Sequence, residues 1–258
     1  MPRMSSTTSK ALSRLWILTM RLSAAIPRML SRMETPSRLL PSLGSDSKRI
    51  YRLGIMGGTF DPIHYGHLVT AEQAREALDL DLVLFMPAGS PAFKQDKRVS
   101  DPEDRYAMTV LATAANAAFY ASRFEIDRPG VTYTVDTLSE LRRHYPDNVE
   151  LYFITGADAI IDILAWHDAD RLASLATLIA ATRPGYDIET AKSRIAASGI
   201  DFDVRYIEIP ALAISSSNIR ELVASGKSVR YLTSESVMGY IRKNDLYVQE
   251  GSGNGHGA

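Results

Sequence analysis

The sequence predicts an α/β fold, a mostly parallel sheet with helices on both faces. Three observations carry that expectation. Short apolar runs of strand length recur along the chain, and segments with helical spacing of apolar residues separate them. Glycine, proline and N-cap residues stand at the joints. Strands alternating with helices connect by right-handed crossovers, which makes the strands parallel. In such a sheet a ligand lies at the carboxyl ends of the strands, near the switch point of the strand order.

Taken in order, Leu53-Gly54-Ile55-Met56 reads as a buried strand, and His67 to Ala74 as the helix that follows it. Leu82-Val83-Leu84-Phe85-Met86 is a second strand, stopped by Pro87, which has no N–H for the ladder. Asp101 is the N-cap of a helix over 102–116, with Glu103 and Asp104 in its first turn, where negative charge suits the helix dipole. A further helix begins at Thr134, and its Val135, Leu138 and Leu141 share one face. Leu151 to Thr155 and Thr177 to Ala181 are buried strands, and Val204 to Ile209 is a more exposed one. There is no internal repeat.

Composition bounds the function. The chain has 258 residues, 45% hydrophobic and 23% charged, as expected of a soluble globular protein. With no cysteine it has no disulfide and no thiol nucleophile, and a reducing, cytoplasmic setting is expected. Residues 1–49 carry nine Lys/Arg against two Asp/Glu, whereas the rest is acidic on balance. A mildly acidic body lacks the basic face of a nucleic-acid binder. Residues 1–49 read as a basic, disordered leader, although their composition is also that of an organellar transit peptide. Their apolar patch, Leu15-Trp16-Ile17-Leu18, is too short to span a bilayer. The expected organisation is this leader, a domain over 50–248, and a flexible tail over 249–258.

The string Gly57-Gly58-Thr59-Phe60-Asp61-Pro62-Ile63-His64-Tyr65-Gly66-His67 links the first strand to the first helix. Paired glycines let backbone approach a phosphate, and a helix start offers unsatisfied N–H groups. His64 and His67 add donors where charge develops in phosphoryl or nucleotidyl transfer. Ile214-Ser215-Ser216-Ser217-Asn218-Ile219-Arg220 is a second constellation. By itself it describes a well-capped helix. Its hydroxyls, with Arg220 one turn in, equally suit a triphosphate.

The first string resembles the GxFxPxHxGH signature of the nucleotidyltransferase superfamily related to class I aminoacyl-tRNA synthetases. The second resembles that superfamily's ISSTxIR motif, with Ser217 in place of threonine. Between them, Thr132 to Leu138 resembles the S/TYTxDTL segment of bacterial nicotinate-mononucleotide adenylyltransferases. Phe153 to Ala159 resembles their IxGAD segment, followed by Trp166. Arg183-Pro184-Gly185 resembles their SRPG-like turn, and Tyr240-Ile241 with Leu246-Tyr247 their YIxxxxLY ending. One departure stands out: their PPHK loop reads Pro91-Ala92-Phe93-Lys94 here, keeping the lysine and losing the histidine. The resemblance covers about residues 50–248.

The resemblance implies a Rossmann-like nucleotidyltransferase fold. It also implies transfer of an adenylyl group from ATP to nicotinate mononucleotide, with Mg2+ carried by ATP and no metal-ligand set on the protein. Gly57, Gly58, Thr59 and Phe60 would hold phosphate through their backbone, and His64 and His67 would donate to the triphosphate. Ser216 and Arg220, flanked by Ile214 and Ser215, would clamp the departing phosphates, and Lys94 would be a further phosphate contact. Gly156 and Asp158 would receive the ATP ribose. Trp166 would stack on the pyridine ring, and Tyr133 and Thr134 would offer backbone donors to its carboxylate. Asp61 is either an aid to magnesium through water or a turn former before Pro62. Use of the amide mononucleotide, alone or alongside the acid, stays open. A non-catalytic nucleotide-binding regulator would be expected to lack His67, Ser216 or Arg220, and all three are present. No nucleic-acid or membrane partner is expected, and homo-oligomerisation is left open.

Overall fold

The computed structural model of the chain describes residues 40–91 and 99–248. Lys94, the expected tail and all but the last ten residues of the expected leader lie outside the described residues. All elements below belong to the unit Ser42–Ala258. Six strands form one parallel sheet: β1 Tyr51–Gly58, β2 Leu82–Pro87, β3 Phe119–Ala121, β4 Val149–Gly156, β5 Thr177–Thr182 and β6 Val204–Glu208, in the order β3-β2-β1-β4-β5-β6. The order reverses between β1 and β4, which pair from Tyr51 with Val149 to Ile55 with Phe153. That boundary is the switch point.

The helices are α1 Tyr65–Ala77, α2 Pro102–Thr113, α3 Thr134–His144, α4 Ala157–Asp162, α5 Ala169–Leu175, α6 Ile188–Ala197, α7 Ser216–Ala224 and α8 Glu235–Lys243. Alternation along each strand divides the core between two layers. Met56, Val83, Phe85, Ile154 and Ile179 pack with Ala71 and Ala74 of α1, Met108 of α2, and Val237 and Ile241 of α8. Leu53, Ile55, Leu84, Leu151 and Leu178 are buried on the other face. On that side α3 buries Val135, Leu138 and Leu141. Arg142 of α3 donates to the carbonyls of Leu175 (2.8 Å) and Val149 (2.9 Å), tying it to the end of α5 and the start of β4.

The expected strands are all present, and α1 and α3 stand where helices were expected, with α1 starting two residues before His67. The helix expected over 102–116 has its N-cap at Asp101, whose carboxylate accepts from Glu103 N, but it ends at Thr113. Asn116 accounts for the early stop, because its carboxamide oxygen accepts from Ala118 N in a turn leading into β3. β3 is an edge strand of three residues, too short to leave a periodic signal.

The centre of β1 must lie close to its cover. A Cβ at Gly54 would stand 2.8 Å from Leu80 Cδ1 and 3.1 Å from Ile154 Cδ1. Gly54→Val is therefore expected to lower the unfolding free energy by about 2 kcal/mol or more through overpacking. A fall in the urea midpoint at unchanged slope would register it.

Candidate active site

The loop from Thr59 to Tyr65 leaves the carboxyl end of β1, and its carbonyls are held from behind almost one by one. Arg105 of α2, 1% exposed, donates to Thr59 O (2.9 Å), and also to Ala88 O (2.7 Å), Gly89 O (3.1 Å) and Ser100 O (3.0 Å). Arg220 donates to Asp61 O (2.7 Å), Ser216 to Pro62 O (2.8 Å) and Thr233 to Ile63 O (2.8 Å). Tyr65 N closes the set on Leu232 O at 3.0 Å. Gly58 O accepts from Ala88 N at 2.9 Å. Because C=O and N–H point oppositely across a trans peptide, the Thr59 and Phe60 N–H groups face away from these partners. Phe60 itself takes a left-handed conformation, φ 50°, held by a ring that is 2% exposed in the core.

Two cavities open at the switch point and share Gly57 and Thr155. One, about 280 Å³, is lined by Gly58, Thr59, Tyr133, Thr134, Phe153 and Trp166 among others. The other, about 380 Å³, is lined by His64, His67, Gly156, Arg183, Tyr186 and Ile214 among others. Each has a helix start in its wall. α1 begins beside the histidines. α3 begins at Tyr133 without a side-chain cap, whereas α2, α6, α7 and α8 are capped by Asp101, Asp187, Ser215 and Ser234. An uncapped helix start leaves N–H groups and a partial positive charge for an anion.

The two histidines form one unit. Their rings stack with centroids 3.7 Å apart, and Phe60 meets the His67 ring edge-on at 5.0 Å. His64 N donates to His67 Nδ1 at 3.2 Å. A backbone N–H can only donate, so Nδ1 is the acceptor and the His67 proton sits on Nε2. His64, the residue before α1, is 6% exposed, and its Nδ1 is buried without a hydrogen-bond partner. Burial lowers its pKa to about 4, so the His64 ring is neutral near pH 7. Gly66 makes the stack possible, since a Cβ there would stand 2.9 Å from His64 Nδ1.

The structure thus gathers Gly57, Gly58, Thr59, His64, His67, Tyr133, Thr134, Gly156, Trp166 and Ile214 around the two cavities. Phe60 lies in the core behind the loop, Ser215 caps α7, and the side chain of Asp158 lies outside the described residues. Ser216 and Arg220 are turned onto the loop's carbonyls, so they join the two motifs across more than 150 residues of sequence. Asp61 behaves as the structural alternative: 3% exposed, it accepts from Tyr247 OH (2.7 Å) and Ser100 N (3.3 Å), one bond to each oxygen. Sequence reasoning missed Arg105, Thr233 and Glu125, the last a buried carboxyl lining the first cavity. For Arg105 no pattern was available, because an arginine on an amphipathic helix reads as a solvated charge.

The chain belongs to the cytidylyltransferase-like family, whose model matches residues 55–222. It is similar to the "Probable nicotinate-nucleotide adenylyltransferase" of Thermoanaerobacter sp. (strain X514), with 50% identity over 208 residues, 79% of this chain and 97% of that one. The protein of the same description from Moorella thermoacetica is 54% identical over 199 residues, 76% of this chain and 91% of that one. In fold it is similar to the Plasmodium falciparum nicotinic acid mononucleotide adenylyltransferase complexed with NaAD. There the TM-score is 0.63 at 22% identity, covering 76% of this chain and 97% of that one.

Arg105→Lys would leave most of the four carbonyls without a donor, and is expected to cost on the order of 3 kcal/mol of stability, read by urea unfolding. His64 yields a pH effect of known sign. Its folded pKa lies below the ordinary 6.5, so between pH 6.5 and 4 the unfolded chain binds more protons. Acid therefore withdraws stability through this residue. His64→Asn removes the effect, and should gain on the wild type by about 2 kcal/mol between pH 7 and pH 4.5, measured by paired unfolding titrations.

Proposed function

We propose that the chain transfers the adenylyl group of ATP to nicotinate mononucleotide, giving nicotinate adenine dinucleotide and pyrophosphate. The observation that carries this reading is the pair of cavities meeting at Gly57 and Thr155, with the stacked histidine pair on one side and the uncapped start of α3 on the other. The descriptions of the relatives support it.

The mononucleotide occupies the cavity of Tyr133 and Trp166. Its pyridine ring lies against Trp166, which meets Phe153 edge-on at 6.0 Å, and its carboxylate faces the α3 start. ATP occupies the cavity of His64 and His67, with its triphosphate drawn to the start of α1. The mononucleotide phosphate attacks the α-phosphorus, the bond to the bridging oxygen breaks, and pyrophosphate leaves. No enzyme nucleophile is needed, and the protein supplies position and charge stabilisation. The His67 Nε2–H donates to the oxygen on which charge grows. The Thr59 and Phe60 N–H groups, set by Arg105 and Gly58, hold phosphate at the junction.

Magnesium belongs to the substrate. Among the described residues no cluster of His, Asp or Glu could cage a metal, and both Asp61 oxygens are engaged within the protein. A hydrated cation riding on the phosphate oxygens would neutralise their charge. Among the described residues no helix is long and apolar enough to cross a membrane.

Pyrophosphate release from MgATP should depend on nicotinate mononucleotide and be much slower with the amide form. Equal rates would remove the carboxylate assignment, and no release with either would remove the substrate. His67→Ala should lower kcat by about 10²- to 10³-fold, the effect of deleting one donor to a developing charge, measured under conditions where the variant is shown to be folded.

A further inference from the structure

Glu125 lies in the segment between β3 and α3, is 6% exposed, and lines the cavity assigned above to the mononucleotide. Its carboxyl is bonded to α3 through Thr137. Arg128, which can only donate, reaches Thr137 Oγ1 at 3.0 Å. Thr137 Oγ1 in turn donates to Glu125 Oε1, 2.7 Å away. Oε1 is an acceptor, so a proton on this carboxyl must sit on Oε2, which no protein group of the described residues engages. Nearby, Thr132 Oγ1 is buried without a partner in the wall of the same cavity. Thr137 is one turn from Thr134, so Glu125 is tied to the first turns of α3, and Thr132 lies two residues before that helix.

We propose that Glu125 determines specificity for the acid form of the mononucleotide: as a neutral acid it donates its Oε2 proton to the pyridine carboxylate, so that substrate and one proton from solvent bind together. This rests on the assignment of the cavity given above. The alternative charge state is unfavourable on the same geometry, because an ionised Glu125 would place a second carboxylate beside the ligand's. The groups facing Glu125 are Thr137 and Arg128, which favour its ionised form, and Glu140, which opposes it, with His167 elsewhere in the cavity wall. Burial outweighs the Thr137 hydrogen bond and Arg128 and lifts the pKa to about 7, so the proton is already half bound near neutrality.

Titration calorimetry on the full chain at pH 7 to 8.5, in two buffers of different ionisation enthalpy, tests this with nicotinate mononucleotide and nicotinamide mononucleotide as probes. The phosphate monoester, with a second pKa of about 6, has titrated below that range. The acid should take up a proton on binding, and its Kd should rise toward about tenfold per pH unit above 7. The amide should show neither effect. Glu125→Gln, which keeps an acceptor for Thr137 and a permanent donor, should abolish the proton uptake and flatten the pH dependence. Glu125→Ala should weaken the acid at every pH, with amide binding reporting that the cavity is intact. Acid binding without proton uptake, or an unchanged slope in Glu125→Gln, would overturn the proposal alone and leave Glu125 an ionised acceptor. If nicotinate mononucleotide fails to bind, the cavity assignment falls and takes the proposal with it.

Discussion

Everything at this site depends on one loop whose carbonyl oxygens are bound from behind. Thr59, Asp61, Pro62 and Ile63 each give their oxygen to a different side chain: Arg105, Arg220, Ser216 and Thr233. Those side chains come from α2, from α7, and from the loop that precedes α8. A backbone held in this way cannot rotate its N–H groups inward, so its orientation toward a phosphate is set before any ligand arrives. Such preorganisation avoids the reorganisation cost that a mobile loop would incur during the reaction. It also explains how α2, α7 and α8 contribute to a cavity that they line little or not at all.

Burial then decides the charge states. The same desolvation that lowers His64 raises Glu125, and both shifts favour the neutral form. Both groups therefore carry less charge near neutral pH than the same side chains would in water. Fixed positive charge is present in the wall of the second cavity as Arg183 and also one layer back as Arg105. Arg105 is pushed down by burial and held up by Asp61, Tyr247 and Asp101, which lets a cation sit behind the phosphate loop without touching the ligand. Asp61 in turn is bonded to Tyr247 near the end of the described chain, so the YIxxxxLY ending serves the loop as well as the core.

Much of this was legible along the chain because it is local. The strand, glycine turn and helix start around Gly57 to His67 are contiguous, short continuous apolar runs mark β1, β2, β4 and β5, and the spacing of Val135, Leu138 and Leu141 marks α3. The Ser215 cap followed the same logic, since N-capping is settled within three residues. Elements carrying little periodic signal were not legible. β3 has three residues, and α4 and α5 are short helices.

Sequence alone determined the parallel α/β class, the phosphate-type loop, and the residue types gathered at its two ends. Those follow from spacing along one segment at a time. Tertiary structure alone decided which way the side chains face. Ser216 and Arg220 turned toward carbonyls of the first motif, Asp61 turned into the protein, and Glu125 became a buried acid beside a cavity. Each of those outcomes depends on a partner distant in sequence and on how much water the fold leaves around the group. Neither distance nor desolvation is written in a local pattern.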